Sequence, residues 1–199
     1  MAADPQDRSL RHLRTALLVL VILLIAAVVV WIADGSGGGG SNDETAEAPP
    51  GAPHIVSAAE LSEAAAVSEA PIYWAGERSG AELELSEVGA EAEGGEASRT
   101  YVRYLTGGAQ AGDPKPAYLT IGTYELPNAY AALRANAKRS GAKLRKAAVG
   151  AMAWVDPNSP TSVYLSKPGA KYQVEVYDPT PKKALKVALS PSLQPVPTG

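Results

Sequence analysis

Hydrophobic and polar positions are distributed along this chain in three distinct ways. From Ala16 to Ala33 every residue is uncharged, and only Trp31 is not aliphatic. Eighteen helical residues extend about 27 Å, close to the thickness of a hydrocarbon core. From Asp34 to about residue 56 the apolar pattern disappears into "GSGGGGS", an acidic step and three prolines. Such a composition reads as a flexible tether, with an r.m.s. reach of about 25 Å. Beyond it, short apolar alternations and a few helical stripes recur to the C-terminus.

Those later patterns predict individual elements. Ser57 with Glu60 fits a capping box for a helix over 57–68, whose inner stripe is Leu61, Ala64 and Ala65. Pro71 ends it and "IYWAG" opens a strand. In "AELELSEV" Leu83 and Leu85 alternate with Glu82 and Glu84, as in a strand with one buried face. "TYVRYLT" and "AYLTIGTYEL" predict two more strands. A helix follows from Asn128, with Ala129, Leu133 and Ala137 inward and Gly141 as its stop. "LRKAAVGAMAWVD" reads as a strand. "SVYLSKPGAKYQVEVYD" reads as a hairpin turning through Pro168 and Gly169 in a type II turn. Thr180-Pro181 opens a last helix, with Leu185 and Leu189 inward and Lys182, Lys183 and Lys186 outward.

Short connections between strands predict an α+β fold, a mostly antiparallel sheet with two or three helices packed on one face. The expected organisation is a cytoplasmic stub at 1–14, a transmembrane helix at 15–33 and a disordered linker at 34–56. An extracytoplasmic domain at 57–190 and a disordered tail at 191–199 follow. No repeat of fixed period is present, although the two halves share a strand-strand-helix order.

Charge sets the orientation. Arg8, Arg11 and Arg14 precede the apolar run, and Asp34, Asp43, Glu44 and Glu47 follow it. The positive-inside rule therefore places the N-terminus in the cytoplasm and the domain outside the cell membrane, with the bilayer as partner through 15–33. The apolar run is too long for a signal peptide and ends in a poor cleavage sequence. A net charge of -3 gives no reason to expect a nucleic-acid partner. Within the domain the charge is segregated. Residues 55–98 carry ten acids against Arg78 alone, and residues 99–199 carry fourteen Lys and Arg against five acids. Arg134, Lys138, Arg139, Lys143, Arg145 and Lys146 lie within thirteen positions of one another. They form a candidate patch for anionic lipid, wall polymer or another envelope protein. The plain alternative is a solvated helix face neutralised by the acidic half.

Candidate chemistry is sparse. With no cysteine and only His12 and His54, thiolate chemistry, histidine triads and the common zinc sites have no residues to use. No cofactor or metal is expected. Ser140-Gly141-Ala142-Lys143 has the S-x-x-K spacing of penicillin-recognising enzymes, but it closes a helix and lacks that family's companion motifs. The loop 106–113 is glycine-rich without the lysine of a phosphate loop. Glu91, Glu93 and Glu96 alternate with Ala and Gly, where calcium loops place Asp and Asn. Tyr73 and Trp74 are candidates for an aromatic contact with a partner, and the plain alternative makes the strand tyrosines structural and Trp74 and Trp154 core anchors. Tyr101 and Tyr104 fall on opposite faces of one strand, so a one-sided sheet could not bury both.

The succession "APIYWAG", "AELELSEV", "TYVRYLT", "AYLTIG", "SVYLSKPGAKYQVEVYD" and "ALKVALSPSL", over 71–193, resembles the uncharacterised membrane-anchored extracytoplasmic domains of actinobacteria. It is also similar to the domain of unknown function found after anti-sigma-factor anchors, which ends in a strand and a short A-x-x-L helix. The resemblance implies a non-enzymatic extracytoplasmic domain and transfers no site residue. A transmembrane regulator of anti-sigma type is the alternative, although fourteen residues inside the cell are few for a sigma-binding module. A carboxylate-dependent cell-wall enzyme is the third reading.

Overall fold

The computed structural model describes residues 51–89 and 98–199. The expected stub and membrane span, most of the linker, and Glu91, Glu93 and Glu96 lie outside the described residues. Among the described residues no helix is long and apolar enough to cross a membrane. Residues 51–89, 98–112 and 117–199 belong to one compact unit. Residues 113–116 fall outside it and form a local turn, in which the Asp113 carboxylate accepts from the Lys115 amide at 2.9 Å.

Among the described residues ten strands run in chain order: β1 (His54–Val56), β2 (Tyr73–Trp74), β3 (Ala81–Val88), β4 (Arg99–Thr106), β5 (Leu119–Glu125), β6 (Arg145–Lys146), β7 (Met152–Asp156), β8 (Ser159–Ser166), β9 (Tyr172–Tyr177) and β10 (Gln194–Pro195). Three α-helices among the described residues, α1 (Ala58–Val67), α2 (Ala129–Ser140) and α3 (Pro181–Ala188), are interspersed. Eight strands make one antiparallel sheet in the order β1-β3-β4-β5-β9-β8-β7-β6, and β2 pairs with β10 separately. The expected mostly antiparallel α+β architecture is therefore present. Two three-stranded meanders, β3-β4-β5 and β7-β8-β9, meet at the central β5–β9 pair, and each is followed by a helix. Each half is thus strand-strand-strand-helix, one strand more than the crude strand-strand-helix order expected of the two halves.

The register accounts for both faces. Leu85, Val102, Ile121, Val176, Val163 and Val155 stand opposite one another across six strands. Leu83, Tyr104 and Leu119 continue this apolar face beside them, as do Val174, Leu165 and Ala153. α1 lays Leu61 and Ala65 into the same core, and α3 adds Ala184, Val187 and Ala188. On the other face the corresponding row reads Ser86, Tyr101, Gly122, Glu175, Tyr164 and Trp154. There α2 packs Leu133 and Ala137 against Trp154 and Tyr164.

The helices are thus divided between the two faces rather than gathered on one. The cause is the bulk of Trp154 and Tyr164, which need cover on the side facing away from Ala153 and Leu165. Because both sides are covered, Tyr101 and Tyr104 are both buried.

Local expectations fare unevenly. Ser57 caps α1 with a complete capping box: the Glu60 amide donates to the Ser57 hydroxyl at 3.2 Å, and the Ser57 amide donates to the Glu60 carboxylate at 2.7 Å. Gly141 ends α2 in the left-handed region at φ 69°. Asn128 precedes α2 as expected, but its side chain makes no cap bond. It supplies a left-handed backbone turn instead, at φ 66°. The stretch 144–156 is not one strand but the hairpin β6–β7. α3 buries Ala184, Val187 and Ala188, while Leu185 and Leu189 are half-buried and its three lysines are exposed.

Two boundaries need correction. His54–Val56, assigned to the linker, is an edge strand paired with β3, and Val56 enters the core. The segment 191–199, assigned to a disordered tail, carries β10 and buries Leu193 and Val196. Its prolines do not prevent this, because a two-strand pairing on a short edge needs few amide donors. The Val196 amide donates to the Ile72 carbonyl at 2.8 Å.

Candidate anion-binding surface

All six basic candidates are exposed. α2 displays Arg134, Lys138 and Arg139 on the side away from Leu133 and Ala137, which face the sheet. After Gly141, half-buried Ala142 and Leu144 pack on the Trp154 cluster, leaving Lys143 outside. Arg145 and Lys146 then form β6, the last strand of the sheet. Cations there also keep an open strand edge from pairing with another chain.

None of the six makes an ion pair with a carboxylate among the described residues. The Arg134 guanidinium stands 6.0 Å from the Tyr130 ring centroid, and Arg139 donates to the Asn136 side chain at 2.8 Å. Within the described unit their exposure is that of a solvated helix face and strand edge. They form a cationic surface open to solvent.

The candidate aromatic contact does not stand. Tyr73 and Trp74 form β2, are 5% and 9% exposed, and belong to the main core. Pairing with β10 covers them, which follows from the ordered C-terminal segment. Tyr73 packs its ring 5.9 Å from that of Tyr172.

Other sequence candidates acquire structural roles. The Ser140 hydroxyl lies 3.0 Å from the Asn136 carbonyl and 3.2 Å from the Trp154 indole N–H. It closes the helix end, and its hydrogen-bond partners among the described residues are carbonyls and the indole, none of them a base. In the loop 106–113, the Gly112 amide donates to Glu84 Oε2 at 2.6 Å. That backbone donor serves a carboxylate of its own fold. His54 belongs to the folded unit rather than the linker, but it is exposed, with Nδ1 2.8 Å from the Ala52 carbonyl. Among the described residues no cluster of His, Asp and Glu could hold a metal ion.

The sheet also contains a buried acid that the sequence did not single out. Glu175 is 2% exposed and accepts from the Tyr124 hydroxyl at 2.5 Å, while its Oε1 has no hydrogen-bond partner. Burial pushes its carboxyl above the usual 4.5, against the opposing pull of the Ser162, Tyr124 and Tyr164 hydroxyls. Burial likewise raises the Tyr124 and Tyr164 hydroxyls, and the nearby carboxylate raises them further.

Gly122 makes this arrangement fit. A side-chain carbon there would stand 2.8 Å from the Tyr124 hydroxyl, so the Tyr124 ring fills the space over the glycine to reach Glu175. Tyr101 meets Tyr124 edge to face at 5.8 Å. The only sequence signal was indirect: Val174-Glu175-Val176 alternates correctly, but nothing local says that the outward face is covered by α2.

Between 4.5 and its raised folded value, native Glu175 binds more protons than the unfolded chain does. Stability therefore falls as pH rises through that window, and the penalty is complete above it. Glu175→Gln is expected to flatten the dependence. Urea midpoints taken from pH 5 to 8 should fall with pH in the parent and change less in the variant. Equal slopes would show that Glu175 does not titrate in this way.

In comparisons with known proteins, no family model matches this chain, and no curated protein or solved structure matches it.

Proposed function

We propose that this chain is a single-pass membrane protein that presents a non-enzymatic interaction domain outside the cytoplasmic membrane, with α2 and the segment through β6 as its contact surface for an anionic partner. The observation that carries the proposal is the set of six exposed cations, from Arg134 to Lys146, without carboxylate partners among the described residues. A cationic surface of this kind attracts and orients polyanions through long-range electrostatics. The uncharged run at 16–33, with arginines before it and acids after it, supports the anchor and its orientation. The two acids deepest in the sheet, Glu84 and Glu175, are 1% and 2% exposed, which favours a structural use of them over chemistry on an external polymer.

The test is in-cell photocrosslinking from Ala135, an exposed position on α2 between the cations. An envelope component should be captured, and Arg134→Glu, Lys138→Glu and Arg139→Glu together should reduce capture at least tenfold. Absence of capture, or capture indifferent to charge reversal, would overturn the binding role. A reporter joined after Gly199 that is active only in the cytoplasm would overturn the topology.

A further inference from the structure

We propose that the two turns at one end of the second meander form a bilayer-docking tip that binds anionic phospholipid head groups. This rests on the membrane-anchored reading above, and adds a second contact that shares only Lys146 with the first.

The first turn is the β6–β7 hairpin. Arg145 pairs with Ala153 and Lys146 with Met152. Closure follows at Ala147, whose amide donates to the Ala151 carbonyl at 2.9 Å, and at Ala151, whose amide donates to the Ala148 carbonyl at 3.1 Å. Val149 (φ 50°, ψ 30°) and Gly150 (φ 73°) occupy the central positions, both left-handed, as in a type I′ turn. Asn-Gly is the pair that such a turn prefers. A β-branched residue at its first position is a strained choice. Val149 is nonetheless 50% exposed, so burial does not explain the strain. The fold alone would be better served by asparagine.

The second turn lies at the same end. Met152 is in register with Ser166, so the β6–β7 turn is adjacent to Lys167-Pro168-Gly169-Ala170. Val149 and Lys167 line one small crevice with Leu165 and Tyr172. Pro168, Gly169 and Lys171 are exposed and Lys167 is half-buried. Two small apolar turn tips thus stand side by side, bordered by Lys146, Lys167 and Lys171. Negative charge at this end comes from Glu125, opposite Tyr172, and from exposed Glu87, opposite Thr100 two strands away, and Glu91, Glu93 and Glu96 follow in sequence between β3 and β4.

Apolar tips bordered by lysine suit an anionic interface, where methyl groups enter the head-group boundary and the ammonium groups meet phosphate. A soluble polyanion would use the lysines but give no return for an exposed, strained valine. In the anchored reading the domain and its bilayer are joined through one chain, which supplies proximity.

The test uses the full chain reconstituted in nanodiscs. With no native cysteine, Val149→Cys carries a single environment-sensitive fluorophore. Discs containing phosphatidylglycerol should give a several-fold rise in emission with a blue shift, and pure phosphatidylcholine discs should not. Lys146→Glu, Lys167→Glu and Lys171→Glu together, or high salt, should reverse it. A label at Val67→Cys, an exposed position on α1 outside both turns, should not respond.

An unchanged signal at 149 in both discs overturns the tip, as does an equal response in both. A response in phosphatidylcholine discs only when soluble polyphosphate is added also overturns it, and points to a polymer. If the tip fails while crosslinking from Ala135 persists, the broader reading survives. Val149→Asn separates lipid contact from packing. It should keep or raise the melting temperature while weakening the phosphatidylglycerol response of a label at Pro168→Cys, and a melting temperature lowered by several degrees overturns the proposal.

Discussion

Arg103→Ala is expected to destabilise the fold by about 3–5 kcal/mol, because it leaves a buried carboxylate without its cation. Glu84 is 1% exposed, and its Oε1 accepts from the Arg103 guanidinium at 2.8 Å. The two residues are opposite each other in the β3–β4 register, so the pair is fixed by the sheet itself. Arg103 also lies 5.2 Å from the Tyr118 ring centroid, and Glu84 keeps a second donor in the Gly112 amide. That amide satisfies one oxygen but supplies no net charge. Most of the loss therefore comes from the stranded anion rather than from the lost attraction.

The double variant distinguishes these contributions. Glu84→Leu with Arg103→Met replaces the pair by apolar groups of similar volume, and should recover most of the stability, to within roughly 1–2 kcal/mol of the parent. Urea unfolding of the solubilised full chain, followed by tryptophan fluorescence, measures all three proteins. A loss below about 1 kcal/mol in Arg103→Ala would mean that Arg103 is not what compensates the buried Glu84 side chain.

Elements whose cause is local were legible in the sequence. Ser57 with Glu60, Gly141 and Pro168-Gly169 act within four or five residues, and the helix start, helix stop and hairpin turn occur where those residues require. The misreadings share a different origin. Glu84 and Glu175 alternate with apolar neighbours in a way that reads as solvent-facing, and only the path of the chain elsewhere covers them. The same applies to Tyr73 and Trp74, which are enclosed by a C-terminal segment more than 115 positions away in sequence. Pro191, Pro195 and Pro197 made that segment look disordered, although Leu193 and Val196 were enough to dock it. For the candidate surface the identity of the six cations was plain. Their lack of carboxylate partners among the described residues was not, since charge segregation along a chain says nothing about which charges meet in space.

Leu133→Ala tests whether the cationic surface depends on how α2 is seated. Leu133 is fully buried and packs with Ala137, Trp154 and Tyr164 in a small cluster separate from the main core. Truncation removes the largest apolar anchor of α2 and leaves a cavity beside two aromatic rings that are themselves stacked at 5.5 Å. The expected cost is about 3 kcal/mol, within the range for a buried leucine, with a melting temperature lower by about 6–12 °C. Leu133→Met conserves volume and should cost less than about 1.5 kcal/mol. The alanine variant retains all six cations, so the number of charges is unchanged. Crosslinking from Ala135 should nevertheless weaken under conditions where the domain remains folded, because Arg134, Lys138 and Arg139 are held in one array by a helix that is no longer anchored. The methionine variant should restore it. Full crosslinking in a measurably loosened alanine variant would show that the partner reads net charge alone, and that the positions set by α2 carry no part of the recognition.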